Sequence, residues 1–284
     1  MKKKKKGNSN IFLILVFLAG LSFMLYPTVS NYLNSKNQHR IISYYQEEIK
    51  SANYEQNQKM LEWARKFNAE LNKRENPYML NDKQQQEYES LLNISRNGVM
   101  GYLEIPCIDC ILPIYHGVGE EVLQTAIGHI EWTSLPVGGE STHAAISGHR
   151  GLPSADLLTH IDKMRIGDKF YVNILGEKLL YKVDQIKVVL PDDTSLLMVE
   201  EGKDYLTLVT CTPYGINSHR LLVRGTRVID GEAPTGMLFL TNEIEEISMI
   251  YLMPVVLSAV LVVFMLLFAI KTAIVKKPKE KPHD

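Results

Sequence analysis

A cysteine at the end of a predicted strand is the residue of this sequence best suited to nucleophilic chemistry. Residues 207–211 are a run of β-favouring residues that ends in Cys211, and a turn signal occupies residues 212–215. Because the turn returns the chain antiparallel, Arg220 on the next predicted strand can lie beside Cys211. A cation there favours the thiolate and can stabilise an oxyanion. The alternative is a core cysteine, since cysteine is among the most buried residue types.

A nucleophilic thiol also needs a group that accepts and donates a proton, and this group is usually histidine. His149 is the best placed, between a predicted strand and a predicted helix. Gly148 and Gly151 let the backbone turn sharply around it and leave the imidazole open to a cleft. His129 and His143 flank the same region and could equally be structural. The other histidines considered are interpreted as surface or structural residues: His116, His160 and His219.

The three cysteines are too few for a disulfide scaffold of the small secreted kind, so at least one thiol is left over. Cys107 and Cys110 form a Cys-x-x-Cys pair, but zinc would need two further soft ligands and none is suitably spaced. We therefore predict no metal site. The pair is expected either to form a local disulfide or to pack as two separate apolar residues.

The elements that must position these residues are mainly strands. From Gly98 onward, short β-rich segments alternate with Gly, Pro and Asp, and few helices interrupt them, which indicates a closed or nearly closed β-barrel. One helix is predicted over residues 154–164, with Ser154 as its cap. The predicted strands cover residues 99–105, 111–115, 143–147, 169–175, 179–190, 205–211 and 220–229.

A helical region precedes the predicted barrel. Residues 34–92 are mostly helix formers with apolar residues at helical spacing, and Pro77 interrupts them. A second short helix is expected to run from Asp82, as N-cap, to Leu92. This region is interpreted as a stalk or a cap packed on the main domain. The apolar faces comprise Ile41, Tyr45 and Ile49, then Met60, Ala64, Phe67 and Leu71.

Two apolar runs lie near the chain ends. Residues 11–26 span roughly 16 positions, slightly short of a spanning helix, so this run could also be a signal peptide. Residues 249–270 contain no charge and predict a clear span. Lysine clusters beyond both runs place both termini in the cytoplasm and the middle outside the cell. These clusters flank apolar runs without interleaved aromatics, which disfavours nucleic-acid binding.

The motifs together resemble one family. Thr-Leu-Val-Thr-Cys211, with Arg220 nine residues later and Gly-His149-Arg-Gly-Leu-Pro upstream, is similar to the sortases. These are surface transpeptidases of Gram-positive bacteria built on an eight-stranded β-barrel. Residues 113–117 and 133–139, Thr-His at 142–143 and the two-span layout resemble the class C, pilus-assembling branch. The resemblance covers roughly residues 98–230. It implies that Cys211 is the nucleophile, His149 the general acid/base and Arg220 the oxyanion and substrate-orienting group.

The resemblance also implies the reaction and its partners. A Leu-Pro-x-Thr-Gly-like sorting signal is cleaved between Thr and Gly, and the acyl group passes to a pilin lysine with no cofactor. The partners are pilin subunits and the membrane. Alternatives are a housekeeping-type sortase that anchors surface proteins to the cell wall and a hydrolytic cysteine peptidase. A protein that is itself sorted is rejected, because Ala-Pro-Thr-Gly at 233–236 lacks a residue between Pro and Thr. A silent membrane scaffold is disfavoured by the convergence of Cys211, His149 and Arg220.

Class C sortases have an N-terminal lid, typically Asp-Pro-aromatic, and the matching residues here are Asn76, Pro77 and Tyr78. We expect Tyr78 over Cys211 and Asn76 near Arg220. Asparagine cannot form an ion pair with arginine, so this lid should open more readily than a typical one. An ordinary helix-ending turn is the alternative.

The predicted organisation has six segments. They are a basic tail with the first apolar segment (1–33), a helical region with the lid (34–95), the catalytic barrel (96–232), an acidic linker (233–247), a C-terminal transmembrane helix (248–270) and a basic tail (271–284).

Overall fold

The computed structural model describes residues 9–74, 76–229, 256 and 258–262. The chain divides into two compact units, Met1–Tyr32 with Asn242–Asp284 and Leu33–Thr241. All the predicted chemistry lies in the second unit. The predicted linker and C-terminal tail lie outside the described residues, as does most of the predicted C-terminal span.

Three helices open the chain: α1 (Ser9–Ser51), α2 (Tyr54–Leu71) and α3 (Asp82–Ser90). Helix α1 runs through Pro27, where the first apolar run was expected to end. Helix α3 is capped by Asn81, one residue before the predicted cap. The Asn81 side chain accepts a hydrogen bond from the Gln84 backbone N–H, and the Gln84 side chain accepts one from the Asn81 backbone N–H. The helical N-terminal extension is confirmed.

One helix in the described part of the chain is long and apolar enough to cross a membrane, over Leu15–Ser51 within α1. The most apolar stretch of this helix is not buried by other parts of the protein, as is required of a segment that faces lipid. A signal sequence near the N-terminus would meet the same criterion of length and composition. The structure therefore supports one predicted membrane segment, and a fold with two spans is not established by it.

Eight strands form a closed barrel in the order β1-β2-β3-β4-β7-β8-β6-β5, and β5 returns to β1. The β2–β3 and β4–β7 pairs are parallel, and the other pairs are antiparallel. The eight-stranded barrel is confirmed. The strands are β1 (Val99–Ile105), β2 (Cys110–His116), β3 (Ile127–His129), β4 (Thr142–Ser147), β5 (Lys169–Ile174), β6 (Glu177–Val189), β7 (Asp204–Thr212) and β8 (His219–Arg227).

The segments between the strands differ from prediction in two places. Strand β3 was not predicted, because three residues are too few to show an alternating pattern. The helix predicted over residues 154–164 is wrong. Leu157 has a φ of +40°, a left-handed value that an α-helix cannot contain, and only Ile161–Lys163 form a helical turn, of the 3₁₀ type. The apolar residues of this segment reach the core from successive turns.

Two buried polar side chains attach the N-terminal helices to the barrel. The Tyr45 hydroxyl of α1 donates to the Met100 carbonyl at 2.8 Å and accepts from the Leu175 N–H at 2.9 Å. The Asn68 side chain of α2 donates to the Leu135 carbonyl at 3.0 Å and accepts from its N–H at 2.7 Å. Because buried polar groups are costly to leave unpaired, these bonds fix the helices in one position. The segment that leaves α2 therefore starts from a fixed point on the barrel.

Candidate active site

The predicted nucleophile and its arginine lie side by side. Cys211 is near the end of β7, and the β7–β8 register pairs it directly with Arg220. Side chains of directly paired residues share one face of the sheet, with Cβ atoms about 4.5–5.5 Å apart. The Cys211 thiol is free and partly exposed. The barrel thus presents a thiol and a guanidinium at adjacent positions on its surface.

His149 reaches the same level from the neighbouring parallel strand. Ser147, the last residue of β4, pairs with Val209 of β7. The Gly148 N–H donates to the Val209 carbonyl at 3.1 Å, and the Thr210 hydroxyl donates to the Gly148 carbonyl at 2.7 Å. His149 follows Ser147 by two residues, as Cys211 follows Val209. The parallel register therefore brings the imidazole and the thiol to the same end of the β4–β7 pair.

The His149 side chain is poorly partnered within the described chain. It is 30% exposed, and its Nε2 atom is buried without a hydrogen bond. The nearest carboxylate oxygen, Oε2 of Glu120, lies 4.0 Å from Nε2. Glu120 begins a short helix, α4 (Glu120–Leu123), between β2 and β3. A partly exposed imidazole with an unused ring nitrogen can exchange protons with a bound substrate.

The two histidines that flank this region have structural environments. His129 is fully buried, its Nδ1 lies 3.1 Å from the Tyr88 hydroxyl, and burial lowers its pKa to about 3. His143 lies 2.7 Å from the Thr207 hydroxyl through Nε2, and burial lowers its pKa as well. Both imidazoles are hydrogen-bonded, and burial disfavours the charged form of each. The position of His149 is the one that suits acid–base chemistry.

Arg220 is held by its own loop. Its Nη1 donates to the carbonyls of Asn217 at 3.3 Å and His219 at 3.2 Å. Within residues 9–74 and 76–229 no carboxylate forms an ion pair with it. These carbonyl contacts orient the guanidinium without neutralising it, so its charge remains available to an anionic group.

An apolar surface extends from the thiol along the outer face of the barrel. Val209 and Leu222 occupy this face two residues from Cys211 and Arg220, and both are at least nine-tenths buried. The two side chains belong to a small apolar set against which Trp132 packs. The set comprises Ala145, Leu197, Val209 and Leu222, with Ile130, Trp132, Val189 and Leu196 packed against it. A packed apolar set thus lies directly beside the thiol.

A cleft of about 350 Å³ lies beside Trp132. Its walls include Pro77 from the segment between α2 and α3, His143 of β4, and Met198 from the β6–β7 loop. Arg74 secures the segment that carries Pro77. Its guanidinium donates to the Leu71, Met79 and Trp132 carbonyls at 2.9, 3.0 and 2.8 Å.

The structure places Tyr78, one of the predicted lid residues, against Trp132. The Tyr78 and Trp132 rings meet edge to face, with centroids 5.4 Å apart. The Asn76 Oδ1 accepts from the Tyr78 N–H at 3.0 Å, an Asx turn that shapes the segment. The hydrogen bonds of Asn76 and Arg220 are local to their own segments and do not join the two residues. Tyr78 thus contacts a side chain that packs against the apolar set, and among the described residues no hydrogen bond joins Asn76 to Arg220.

The other two cysteines are poor nucleophiles in this setting. Both are free thiols, so the predicted local disulfide is not formed in this structure. Burial raises the pKa of Cys110 to about 12, and burial together with Asp168 raises the pKa of Cys107. Neither thiol is favoured as a thiolate at neutral pH.

Two residues at the site were not identified from the sequence. Glu120 lies far from His149 along the chain, and its approach depends on the β2–β3 connection. Arg150 follows His149 directly, yet its side chain is only 9% exposed and hydrogen-bonds to Thr212. Its position next to His149 in the sequence indicated that it could lie near the site. A charged residue in a loop is expected to be exposed, so the burial of this side chain could not be predicted.

The sequence matches a family model described as the Sortase domain over residues 103–228. Among curated proteins, sortase D of Bacillus subtilis (strain 168) is 30% identical over 131 residues. That match covers 45% of this chain and 63% of the relative, which is less than two thirds of its length.

Solved structures match a larger part of the chain. The crystal structure of sortase C1 from Streptococcus agalactiae is 47% identical, with a TM-score of 0.66, and covers 68% of this chain and 100% of that one. Sortase C of Streptococcus pneumoniae is 41% identical with a TM-score of 0.60, covering 67% and 97%. The latter structure is described in terms of catalysis and pilin substrate specificity.

Proposed function

Because the chain belongs to the sortase family, we propose that it is a membrane-anchored cysteine transpeptidase of the class C type. Its substrate would be a Leu-Pro-x-Thr-Gly-like sorting signal, and its acceptor a pilin lysine. One observation carries the proposal: the strand register sets Cys211 opposite Arg220, with His149 at the same end of the β4–β7 pair. The likeness to sortase C structures, one described with pilin substrate specificity, supports the substrate class.

The first step forms a thioester. The Cys211 thiolate attacks the threonine carbonyl of the sorting signal, and the Arg220 guanidinium stabilises the tetrahedral oxyanion. The C–N bond to glycine breaks as His149 gives a proton to the leaving amine. The C–S bond to Cys211 has then replaced one amide bond. No change in oxidation state occurs, so the step needs no redox cofactor.

The second step returns the enzyme to its starting state. The neutral amine of a pilin lysine attacks the thioester carbonyl, and Arg220 again faces the oxyanion. The C–S bond breaks, the Cys211 thiolate leaves, and His149 takes the proton that the amine loses. One amide bond is broken and one is formed over the cycle, so no energy source is consumed.

The apolar surface beside the thiol suits the apolar residues of such a signal. Val209 and Leu222 continue from Cys211 and Arg220 along the same face, and Trp132 packs against the apolar set to which they belong. A peptide lying along this surface with its leucine and proline over the apolar end would bring its threonine carbonyl to Cys211. Complete burial of the leucine side chain of the signal would contribute roughly 1.5–3 kcal/mol.

We place the barrel on the outer side of the membrane. Helix α1 contains a candidate span, and five consecutive lysines, Lys2–Lys6, precede its apolar run. Clustered lysines next to a span favour the cytoplasmic side. The C-terminal apolar run ends in a similar lysine-rich tail. Anchoring would hold the enzyme beside substrates that are themselves retained at the membrane.

The proposal predicts covalent polymers of pilin. The full-length protein in detergent micelles is incubated with a pilin that carries a sorting signal and an acceptor lysine. We expect a ladder that survives boiling in SDS, with isopeptide bonds identified by mass spectrometry. A matched pilin with the acceptor lysine changed to arginine should give shortened monomers only.

The same experiment separates the alternatives. Shortened monomers without any ladder for the unaltered pilin would support a hydrolytic peptidase. Transfer to a short cell-wall peptide amine in preference to pilin lysine would support a housekeeping-type sortase. The sorting signal of the pilin is also varied across related motifs. If none of these pilins is cleaved, the transpeptidase proposal as a whole is contradicted.

We further propose that Asn76, Pro77 and Tyr78 act as a lid over the substrate surface. Pro77 lines the cleft, and Tyr78 contacts Trp132, which packs against the apolar set that contains Val209 and Leu222. A peptide on the apolar surface would therefore require this segment to move. The aromatic contact of Tyr78 with Trp132 supports this position of the lid, and the expected closeness of Asn76 to Arg220 stays a prediction.

The lid proposal predicts an order of thiol labelling rates at Cys211. Tyr78→Ala removes an aromatic pair worth about 0.5–1.5 kcal/mol, so labelling should be about 2- to 12-fold faster. Asn76→Asp keeps an acceptor for the Asx turn and adds a charge that attracts Arg220, so labelling should be slower than for the wild type. The rates are measured with a thiol reagent in a Cys107→Ala, Cys110→Ala background. Tyr44→Ala is a matched control, because Tyr44 and Tyr78 are both 47% exposed. Equal rates in all variants would show that the segment does not cover the thiol.

A further inference from the structure

A buried arginine lies next to the site without taking part in the chemistry described above. Arg150 follows His149 in the loop after β4, and its side chain is 9% exposed. Its Nη1 donates to the Thr212 hydroxyl at 3.2 Å, and its Nη2 donates to the Asp162 carboxylate at 2.5 Å. Arginine is seldom buried to this extent unless it is paired. Such a placement needs an explanation.

Arg150 connects three segments that meet at the site. Its backbone belongs to the loop that carries His149, and Thr212 is the residue after Cys211 on β7. Asp162 lies in the 3₁₀ turn Ile161–Lys163. The Arg150 guanidinium carbon also lies 6.0 Å from the centre of the Tyr214 ring, in the β7–β8 loop. The Arg150 side chain thus connects the loop that carries His149, the end of strand β7 that carries Cys211, and the 3₁₀ turn that carries Asp162.

The hydrogen-bonding of Arg150 is incomplete, which argues for a geometric role. Its Nε atom is buried and makes no hydrogen bond among the described residues. A buried unpaired donor lowers stability, and an apolar side chain of similar volume would avoid that cost. Such a side chain could not form the two hydrogen bonds by which the guanidinium joins Thr212 and Asp162. Lysine could not supply it either, since its ammonium is a compact single point of contact.

We propose that Arg150 is a positioning residue of the acyl-transfer site. It holds the end of β7 against the His149 loop, so that the Cys211 thiol and the imidazole keep their mutual distance and orientation through both steps. Asp162 neutralises the guanidinium, so the effect on the reaction is one of position and not of added charge. The inference rests on the proposed function, because it assigns Cys211 and His149 to one reaction.

The test compares four variants of the full-length protein in detergent: Arg150→Met, Arg150→Lys, Thr212→Val and the Arg150→Met, Thr212→Val double variant. Cleavage of a Leu-Pro-x-Thr-Gly peptide is followed with a lysine peptide as acceptor, and kcat and KM are measured separately. A displacement of about 1 Å costs about 100-fold in rate, so Arg150→Met should lower kcat by about that factor with KM little changed. Arg150→Lys should recover only part of the loss. The double variant should be no worse than Arg150→Met, because both changes break one contact.

Lys178→Met is the matched control. Lys178 is also buried, at 13% exposed, and pairs with Glu104 at 2.8 Å, on β6 and β1. Lys178→Met removes a buried cation and its ion pair as Arg150→Met does, yet it should leave kcat unchanged. A folded Arg150→Met protein with wild-type kcat would overturn the inference. An equal loss of kcat in Lys178→Met would also overturn it. So would a double variant whose loss of kcat equals the product of the losses in Arg150→Met and Thr212→Val. If the wild-type protein does not cleave any sorting peptide, the proposed function fails first, and that outcome is distinct from these.

Discussion

Replacing Cys211 by alanine is expected to abolish cleavage and transfer, with the rate falling at least about 10,000-fold to the uncatalysed background. The reason is that no other group in the site can form the thioester. Cys110 is held as a thiol by burial, which raises its pKa to about 12, and Cys107 also has a raised pKa. The measurement is peptide cleavage by the purified full-length variant, with circular dichroism to show that it is folded.

The matched control for this change is the Cys107→Ala, Cys110→Ala double variant, which should retain activity. Both residues lie at the β1–β2 connection, whereas Cys211 lies at the end of β7. A Cys211→Ala protein that still joins pilins would contradict the nucleophile assignment. If the folded double variant lost activity, Cys107 or Cys110 would have a role in the reaction.

The second large effect is expected from the two residues beside the thiol. Arg220→Ala should lower kcat by about 100- to 1000-fold, the usual effect of removing one oxyanion donor. His149→Ala should cost about 100- to 10,000-fold, because the leaving amine and the attacking amine both lose their proton-transfer partner. Steady-state kinetics with a sorting peptide and an amine acceptor measures both.

Control variants remove the same residue types elsewhere. Arg65 forms a surface ion pair with Glu177 at 2.8 Å, and His160 is exposed, so Arg65→Ala and His160→Ala should keep nearly full activity. Arg220→Lys keeps a charge but loses the planar fork, so it should fall between wild type and Arg220→Ala. Wild-type kcat in His149→Ala would show that another group moves the proton.

The relative positions of the nucleophile and its arginine were predictable because local rules determine them. A β-rich run, a turn with proline and glycine, and a second β-rich run predict an antiparallel hairpin. The number of turn residues then sets the register, and the structure pairs Cys211 with Arg220 as the turn implied. The position of His149 was suggested by its flanking glycines, but its alignment with Cys211 depends on the parallel β4–β7 pairing, which the sequence pattern does not determine.

The errors arose where tertiary contacts decide local structure. The apolar spacing of residues 154–164 resembles a helix, yet those residues fill the core from separate turns, and Leu157 takes a left-handed backbone. The lid was expected with Tyr78 over Cys211 and Asn76 near Arg220, and that placement stays a prediction. The contact of Tyr78 with Trp132 was not expected, because a contact between segments so distant in sequence cannot be read from either segment alone.

Trapping the covalent intermediate tests the central claim most directly. The full-length protein is mixed with a Leu-Pro-x-Thr-Gly peptide in the absence of an amine acceptor, quenched in acid and weighed by intact mass spectrometry. We predict an added mass equal to the peptide acyl fragment ending in threonine. Hydroxylamine should release it, and the proteolytic fragment containing Cys211 should carry it. Cleavage without any adduct at Cys211, or an adduct on Cys107 or Cys110 in its place, would contradict the account.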